Sequence, residues 1–245
     1  MRLSSRILVG CIALLGFSAT AQKSNAAFTI DLQVNGGGWV TVASGADFDP
    51  AGIDFSGNAG GLFVVVDTSA SSSNGATLSS LLGSTTRVTN TTSATQTLQI
   101  RISQTNFTLP AFTPLNVESG LGGSITTGTL GFTGIFQAYA DRNNVLNGTS
   151  DFTNGPQNAT ANGQTYSTGT VDGTFDRTAN PYSLTSITTL VVSGGGIVNY
   201  SNQNDVTITD DSVEIVPAPA GLVLLASAIP VLGLRRVLRR KTLAA

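Results

Sequence analysis

Short runs of alternating apolar and polar residues, separated by glycine and asparagine, recur along most of the chain. Phe28–Val34 alternates without a break, Asn35–Gly38 can form a turn, and Trp39–Val42 can return as the partner strand. Sustained 3.6-residue periods and alternating βαβ units are absent from the sequence. This pattern predicts an all-β body built as an antiparallel β-sandwich or a jelly roll.

Further strands are predicted by the same rule. Leu62–Val66 is apolar throughout, which predicts a strand covered on both faces. In the segment 98–103, Leu98, Ile100 and Ile102 alternate with polar residues, which predicts a strand with one wet face. The remaining strand predictions are a long β segment over Ser124–Ala140, a run from Leu184 to Val192 that breaks at Gly194–Gly196, and strands at Ile197–Tyr200, Val206–Ile208 and Val213–Ile215.

Serine, threonine and asparagine dominate the segment Thr68–Thr95. Within it, Leu78, Leu81 and Leu82 have the spacing of one helix face, but flanking glycines limit a helix to two turns. The composition and spacing predict a long surface loop that contains a short helix.

Composition excludes several classes of function. The 245 residues contain no histidine, which rules out Ser-His-Asp and Cys-His nucleophiles and imidazole metal sites. The body from Gln22 to Ile215 holds five basic residues and all 14 acidic residues, a net charge of −9. Such a body repels phosphate backbones, so nucleic-acid binding is not expected.

The amino-terminal residues have the three parts of a secretory signal peptide. A basic start at Met1–Arg6 is followed by the apolar run Ile7–Phe17 and by small residues that end at Ala21. Cleavage is expected after Ala21, with Ala26 as the alternative, so residues 1–21 are assigned to the signal peptide. Cys11 is interpreted as a small hydrophobe inside this segment rather than a lipidated residue, which leaves the exported body without disulfides.

The carboxyl-terminal residues form a second targeting segment, over residues 216–241. Val216–Pro219 leads into Ala220–Leu234, fifteen residues without a charge. As a helix this run reaches about 22 Å, against a hydrocarbon core of about 30 Å. Basic residues stay on the cytoplasmic side, so the segment predicts a hydrophobic helix that leaves the body outside. The basic cluster that follows the run is Arg235, Arg236, Arg239, Arg240 and Lys241.

This tail resembles the PEP-CTERM sorting signals of Gram-negative bacteria, in particular their VPxPA variant. The resemblance covers the last 30 residues, and Ala218 stands where the commoner form has glutamate. It implies processing by an exosortase-like membrane enzyme of the kind found with exopolysaccharide systems. The alternative is a plain single-span tail anchor. The residues that match the motif are Val216, Pro217, Ala218, Pro219 and Ala220.

Aspartate-rich loops are the candidate metal sites. Asp141–Asn144 with Asp151 is acidic but departs from EF-hand spacing, so solvated turns are favoured over Ca²⁺ binding here and at two further groups. We therefore expect no cofactor, with Ca²⁺ as the weaker alternative. The two further groups are Asp47, Asp49 and Asp54, and Asp205, Asp210 and Asp211.

Candidate catalytic and binding residues are few. Glycoside cleavage needs two carboxylates about 5–10 Å apart, but the sequence marks out no such pair and Glu118 stands alone. We therefore predict that the protein is not an enzyme. Sugar stacking would require exposed aromatic side chains, for which the candidates are Trp39, Tyr139, Tyr166, Tyr182 and Tyr200.

Together these features predict one β-sandwich domain over residues 22–215, exported and held transiently at the inner membrane by its tail. The expected role is structural or adhesive, at the cell surface or in the extracellular exopolysaccharide matrix. The expected partners are the exosortase-like enzyme, the membrane and possible exopolysaccharide, with no nucleic acid. The alternative is a secreted carbohydrate-binding module or glycosidase with the same transient anchor.

Overall fold

The computed structural model describes residues 28–46, 48, 52–71, 78–111, 113–127, 133–177 and 181–208. Several predictions concern residues outside these ranges: the signal peptide, the strand at 213–215, and the tail helix with its sorting motif and basic cluster. The same holds for Asp47, Asp49, Asp210 and Asp211. Within the described ranges no helix has the length and apolar character needed to cross a membrane.

The described part of the chain folds into fourteen β-strands, which confirms the all-β prediction. They are β1 (Phe28–Val34), β2 (Val40–Gly45), β3 (Ile53–Ala59), β4 (Leu62–Ser71), β5 (Leu78–Asn90), β6 (Gln96–Phe107), β7 (Leu115–Thr127), β8 (Thr133–Asp141), β9 (Phe152–Thr153), β10 (Gln157–Asn158), β11 (Thr160–Asn162), β12 (Thr165–Phe175), β13 (Tyr182–Val192) and β14 (Ile197–Ile208).

The strands form two seven-stranded antiparallel sheets. Sheet A has the order β10-β8-β13-β6-β1-β2, with β9 also paired to β8, and sheet B has the order β11-β12-β7-β14-β5-β4-β3. The strand pairs β5–β14, β6–β13, β7–β12 and β8–β10 alternate between the sheets, which is the connectivity of a jelly roll. The hairpins β1–β2 and β3–β4 extend one edge of each sheet.

Apolar side chains from the inner faces of both sheets make one core. In β6, Leu98, Ile100 and Ile102 are buried as their alternation predicts. One end of the core is aromatic: the Tyr182 ring lies 5.6 Å from that of Phe107 and 5.7 Å from that of Phe175, measured between centroids. Burial of these apolar and aromatic groups is the main force that holds the sheets together.

Two sequence predictions about the strands β4 and β5 of sheet B are wrong. β4 is not covered on both faces: Leu62 and Val64 are fully buried, but Phe63 between them is 36 % exposed, since only one face of β4 meets sheet A. The segment Thr68–Thr95 is not a loop with a helix, because β4 continues to Ser71 and β5 begins at Leu78. Pairing of β5 with both β4 and β14 outweighs the weak helical spacing of its leucines.

Three other strand predictions need adjustment. The stretch Ser124–Ala140 is split between β7 in sheet B and β8 in sheet A. The strands expected at Ile197–Tyr200 and Val206–Ile208 are one continuous strand, β14. The wet face predicted for β6 is partly covered, since Ser103 is buried and accepts a 2.8 Å hydrogen bond from the backbone N–H of Asn147.

The first and the last described residues of the chain, Phe28 and Ile208, lie at the same end of the sandwich. Phe28 pairs with Gln104 near the end of β6, and Ile208 pairs with Leu115 at the start of β7. Because residues 108–114 join β6 to β7, these pairs mark one end, called here the base. The opposite end, called the tip, carries the β5–β6 turn around Ala94. A strand of the length of β14 spans about 40 Å between them.

Candidate functional site

A groove of about 390 Å³ crosses the outer face of sheet B over β5, β14, β7 and β12. Alternation along β7 turns Gly120 and Gly122 outward, where they replace side chains with bare backbone. Hydroxyl and amide side chains from the neighbouring strands line the groove, among them Ser201, Gln203 and Thr170. The groove can therefore accept a ligand that presents hydroxyl groups.

A β-bulge in β12 forms one wall of this groove. The register of β12 against β7 shifts between Ser167 and Gly169, and Gly169 has a φ of 70°. The Thr168 hydroxyl accepts a 2.8 Å hydrogen bond from the N–H of Leu121, which holds the bulge in place. A Cβ on Gly120 would lie 2.6 Å from the Gly169 carbonyl oxygen, so the close approach of the two strands requires glycine there.

A row of three carboxylates lies one step along the strands from the groove. Glu118 on β7 pairs with Asp205 on β14 and with Asp172 on β12. Side chains of facing residues on one side of a sheet have Cβ atoms about 4.5–5.5 Å apart. The acidic row is thus assembled by strand register from residues that are distant in the sequence, which is why Glu118 looks isolated there.

Hydrogen bonds stabilise the charged row. The Gln203 amide donates to Glu118 Oε1 at 3.2 Å, and the Ser80 hydroxyl donates to Asp205. Burial raises the pKa of Asp205, the Ser80 hydrogen bond opposes that rise, and the charge of Glu118 adds to it. Burial therefore favours the protonated form of Asp205, beside which Glu118 offers hydrogen-bond acceptor oxygens.

The acidic loop after β8 has a structural explanation. Asp141 is buried and accepts a 2.7 Å hydrogen bond from the N–H of Asn143. Asp151 Oδ2 accepts from the backbone N–H and the Nε of Arg142, at 2.9 Å and 2.7 Å. Burial opposes ionisation of Asp151, but the hydrogen bonds and charge of Arg142 outweigh it and lower its pKa. The two carboxylates thus stabilise the turn conformation of residues 141–151.

Each of the other two aspartate groups has one member among the described residues. Asp54 lies on β3, is exposed, and faces Asp67 across the β3–β4 pair, whereas Asp205 belongs to the row on β14. Among the residues that the structure describes, no three or more carboxylate or thiol groups are arranged to hold a metal ion.

Three of the five aromatic candidates are unavailable for stacking. Tyr166, Tyr182 and Tyr200 are buried in the core, and burial raises the pKa of each phenol. Trp39 and Tyr139 are half-buried and belong to sheet A and its β1–β2 connection, away from the groove. The structure therefore gives no shared platform to the five residues that the sequence suggested.

Trp39 has a different partner. Its ring lies 4.3 Å from the guanidinium carbon of Arg101, which in turn donates two hydrogen bonds to Asp31 Oδ2, at 3.0 Å and 2.9 Å. Asp31 is 1 % exposed, so the ion pair offsets the desolvation of its charge. Trp39 covers this pair on the outside of sheet A.

No protein-family model matches the chain, and no curated protein matches it.

Proposed function

We propose that this is an exported, non-enzymatic protein with a structural or adhesive role at the cell surface or in the exopolysaccharide matrix. The tail of residues 216–241 would hold the folded body outside the membrane until an exosortase-like enzyme processes it. The carboxyl-terminal basic cluster sets the orientation, since basic residues stay on the cytoplasmic side.

The observation that carries this proposal is the common position of the two chain ends. The signal peptide precedes β1 and the tail follows β14, and Phe28 and Ile208 both lie at the base of the sandwich. After cleavage of the signal peptide, a body whose remaining tail follows from the base can stand on the membrane with its tip directed outward. The tip then lies about 40 Å from the carboxyl-terminal end of β14, which suits contact with a surrounding matrix.

Cell fractionation tests this proposal. The full chain should sediment with the envelope, whereas a chain that ends at Ile215 should be released. A matched control keeps the full length but replaces the five basic residues by glutamine, which removes the orientation signal without shortening the apolar run. This control should lose correct insertion, and identical partitioning of all three chains would contradict the proposal. The replaced residues are Arg235, Arg236, Arg239, Arg240 and Lys241.

The groove of sheet B favours a second candidate function, glycan binding or cleavage. Its hydroxyl and amide lining suits sugars, and the facing carboxyl groups of Glu118 and Asp205 can approach the separation of about 5 Å that retaining glycosidases use. With its raised pKa, Asp205 suits the acid and Glu118 the nucleophile. Glycan binding without hydrolysis would identify a binding module. Hydrolysis that Glu118→Gln abolishes would identify an enzyme and overturn the non-enzymatic proposal.

A further inference from the structure

β14 contains four consecutive residues with amide or carboxylate side chains, Asn202 to Asp205, in the middle of sheet B. Asparagine and aspartate are depleted in strands, and a central strand normally carries β-branched or aromatic residues. The strand nevertheless pairs along its length with β5 on one side and β7 on the other. This polar run, called here the clamp, therefore needs an explanation in terms of what its side chains contact.

Asn202 links β14 to both sheets. Its side chain is 5 % exposed, and its Nδ2 donates a 3.0 Å hydrogen bond to the Thr188 hydroxyl on β13 of sheet A. Its Oδ1 accepts a 2.8 Å hydrogen bond from the backbone N–H of Gly83 on β5. A Cβ on Gly83 would lie 2.6 Å from that same Oδ1, so the glycine makes room for the contact.

Asn204 repeats this link at the next inward position. It is fully buried, and its Nδ2 donates to two backbone carbonyls of sheet A, Thr185 O at 3.2 Å and Tyr139 O at 3.1 Å. Because both partners are acceptors, the amide nitrogen and not the oxygen must face them. One side chain thus connects β14 to β13 and β8.

The two outward residues of the clamp bind within sheet B. Gln203 donates to Glu118 on β7, and Asp205 accepts from Ser80 on β5. The four clamp residues therefore fasten β14 to β5, β7, β8 and β13. A register slip by one residue would turn both buried asparagines to the outside and break every one of these bonds.

We propose that β14 is the strand through which mechanical tension enters this protein, and that the clamp transmits tension from the carboxyl-terminal end of β14 to both sheets. The physiological source of that tension, a tail held at the membrane, rests on the proposed function. Tension that enters at Ile208 and leaves at the tip pulls β14 along its own axis, so both ladders of backbone hydrogen bonds are loaded together. The buried asparagines pass part of this load directly to sheet A.

Single-molecule force spectroscopy on the full chain in detergent tests the proposal. In a Cys11→Ser background, one handle is attached at the carboxyl terminus and the other at a cysteine that replaces an exposed alanine. Ala94→Cys at the tip loads β14 in shear, whereas Ala111→Cys at the base peels it from β7, starting at the Leu115 end. We expect a rupture force about twofold higher from the tip, because two ladders resist together. Equal forces in the two geometries would overturn the proposal.

A matched pair of variants tests the clamp itself. Asn204→Ala removes a buried amide on the load path, and Gln157→Ala removes a buried amide on β10 that donates to the Ser119 hydroxyl at 2.8 Å. The rupture forces are compared after allowing for the loss in free energy of unfolding that each variant shows. For the same loss, Asn204→Ala should lower the rupture force measured from the tip more than Gln157→Ala does. Equal reductions would refute the role of the clamp. If Asn204→Ala fails to fold, the comparison of geometries still decides the proposal.

These measurements do not involve the membrane, so their outcome is independent of the fractionation test. If the two pulling geometries differ in rupture force but the full and truncated chains partition identically, the mechanical role of β14 stands and the tail is not an anchor. If the truncated chain is released but the two rupture forces are equal, the tail is an anchor and the mechanical role of β14 is rejected.

Discussion

Glu118 on β7 lies directly opposite Asp205 on β14, on the outer face of sheet B beside the groove. Like charges that face each other across a strand pair destabilise the sheet. The Ser80 and Gln203 side chains compensate by donating hydrogen bonds to the two carboxylates. Repulsion between the two carboxylates therefore lowers the stability of the fold. The same two groups provide a place where a proton or a polar ligand can bind.

Asp205→Asn should raise the free energy of unfolding near neutral pH by about 0.5 kcal/mol, the scale of a cross-strand charge pair. Because the pKa of Asp205 is raised in the folded state, its ionisation opposes folding, and the native protein gains stability as pH falls toward 3.8. The substitution should remove this part of the pH dependence. Urea unfolding of both proteins between neutral and acid pH measures the difference, and an unchanged pH slope would contradict it.

Asp151→Asn should have the opposite effect and lower the free energy of unfolding at neutral pH. Because the pKa of Asp151 is lowered by Arg142, its stabilising effect is present above 3.8 and is lost as pH falls through the folded value. The variant should be less stable than the parent at neutral pH and equal to it in strong acid. The same urea titration series checks this, and a loss of stability that persists in acid would point to a different cause.

Gly120→Ala should destabilise the protein by about 1–3 kcal/mol, because its Cβ would meet the Gly169 carbonyl oxygen and push apart β7 and β12. Gly38→Ala is the matched control, since a Cβ there meets nothing within 4 Å and its φ is not positive. The control should leave stability unchanged or slightly raised. Urea unfolding measures both, and equal effects would show that the bulge does not restrict this position.

Asn90→Ala should cost about 2–3 kcal/mol, because Asn90 organises the turns at the tip. Its Nδ2 donates to the carbonyls of Ala94, Val192 and Ser193, and its Oδ1 accepts from Thr92. Alanine would remove all of these hydrogen bonds at once. Asn58→Ala, at an exposed position of β3, serves as the control and should change stability by less than about 0.5 kcal/mol. Thermal unfolding followed by circular dichroism distinguishes the two.

Arg101→Met should destabilise the fold by about 3 kcal/mol, because it leaves the buried Asp31 carboxylate without its counter-charge. The double variant Asp31→Asn/Arg101→Met should recover part of that loss. Trp39 is the single tryptophan of the chain and stacks on Arg101, so its fluorescence reports the change locally. Additive losses in the double variant would contradict the predicted coupling.

Local patterns predicted some elements and missed others for physical reasons. β1 was predictable because Phe28–Val34 alternates strictly and its buried face meets the core. The middle of β14 was not, because Asn202 and Asn204 satisfy strand geometry only through partners on other strands. Polar residues with low strand propensity can occupy a central strand when distant residues supply hydrogen bonds to their side chains, and sequence periodicity carries no sign of that.

The candidate site was hidden for the same reason. Glu118 is solitary in the sequence and gains Asp172 and Asp205 as neighbours through strand register alone. The glycines of β7 that line the groove can be read from the sequence. That they face outward could not be predicted, because it depends on which face of β7 meets the core. The loop of Asp141 and Asp151 was recognisable as a turn from its composition, and its hydrogen bonds agree with that interpretation.

Thiol labelling in intact cells tests the central claim most directly. In a Cys11→Ser background, a membrane-impermeant maleimide should label Ala94→Cys at the tip of the sandwich and should leave Ala245→Cys unlabelled until the cells are opened. That result would place the body outside and the end of the tail inside, as the arginine cluster predicts. Labelling of both positions in intact cells, or of neither, would contradict the account.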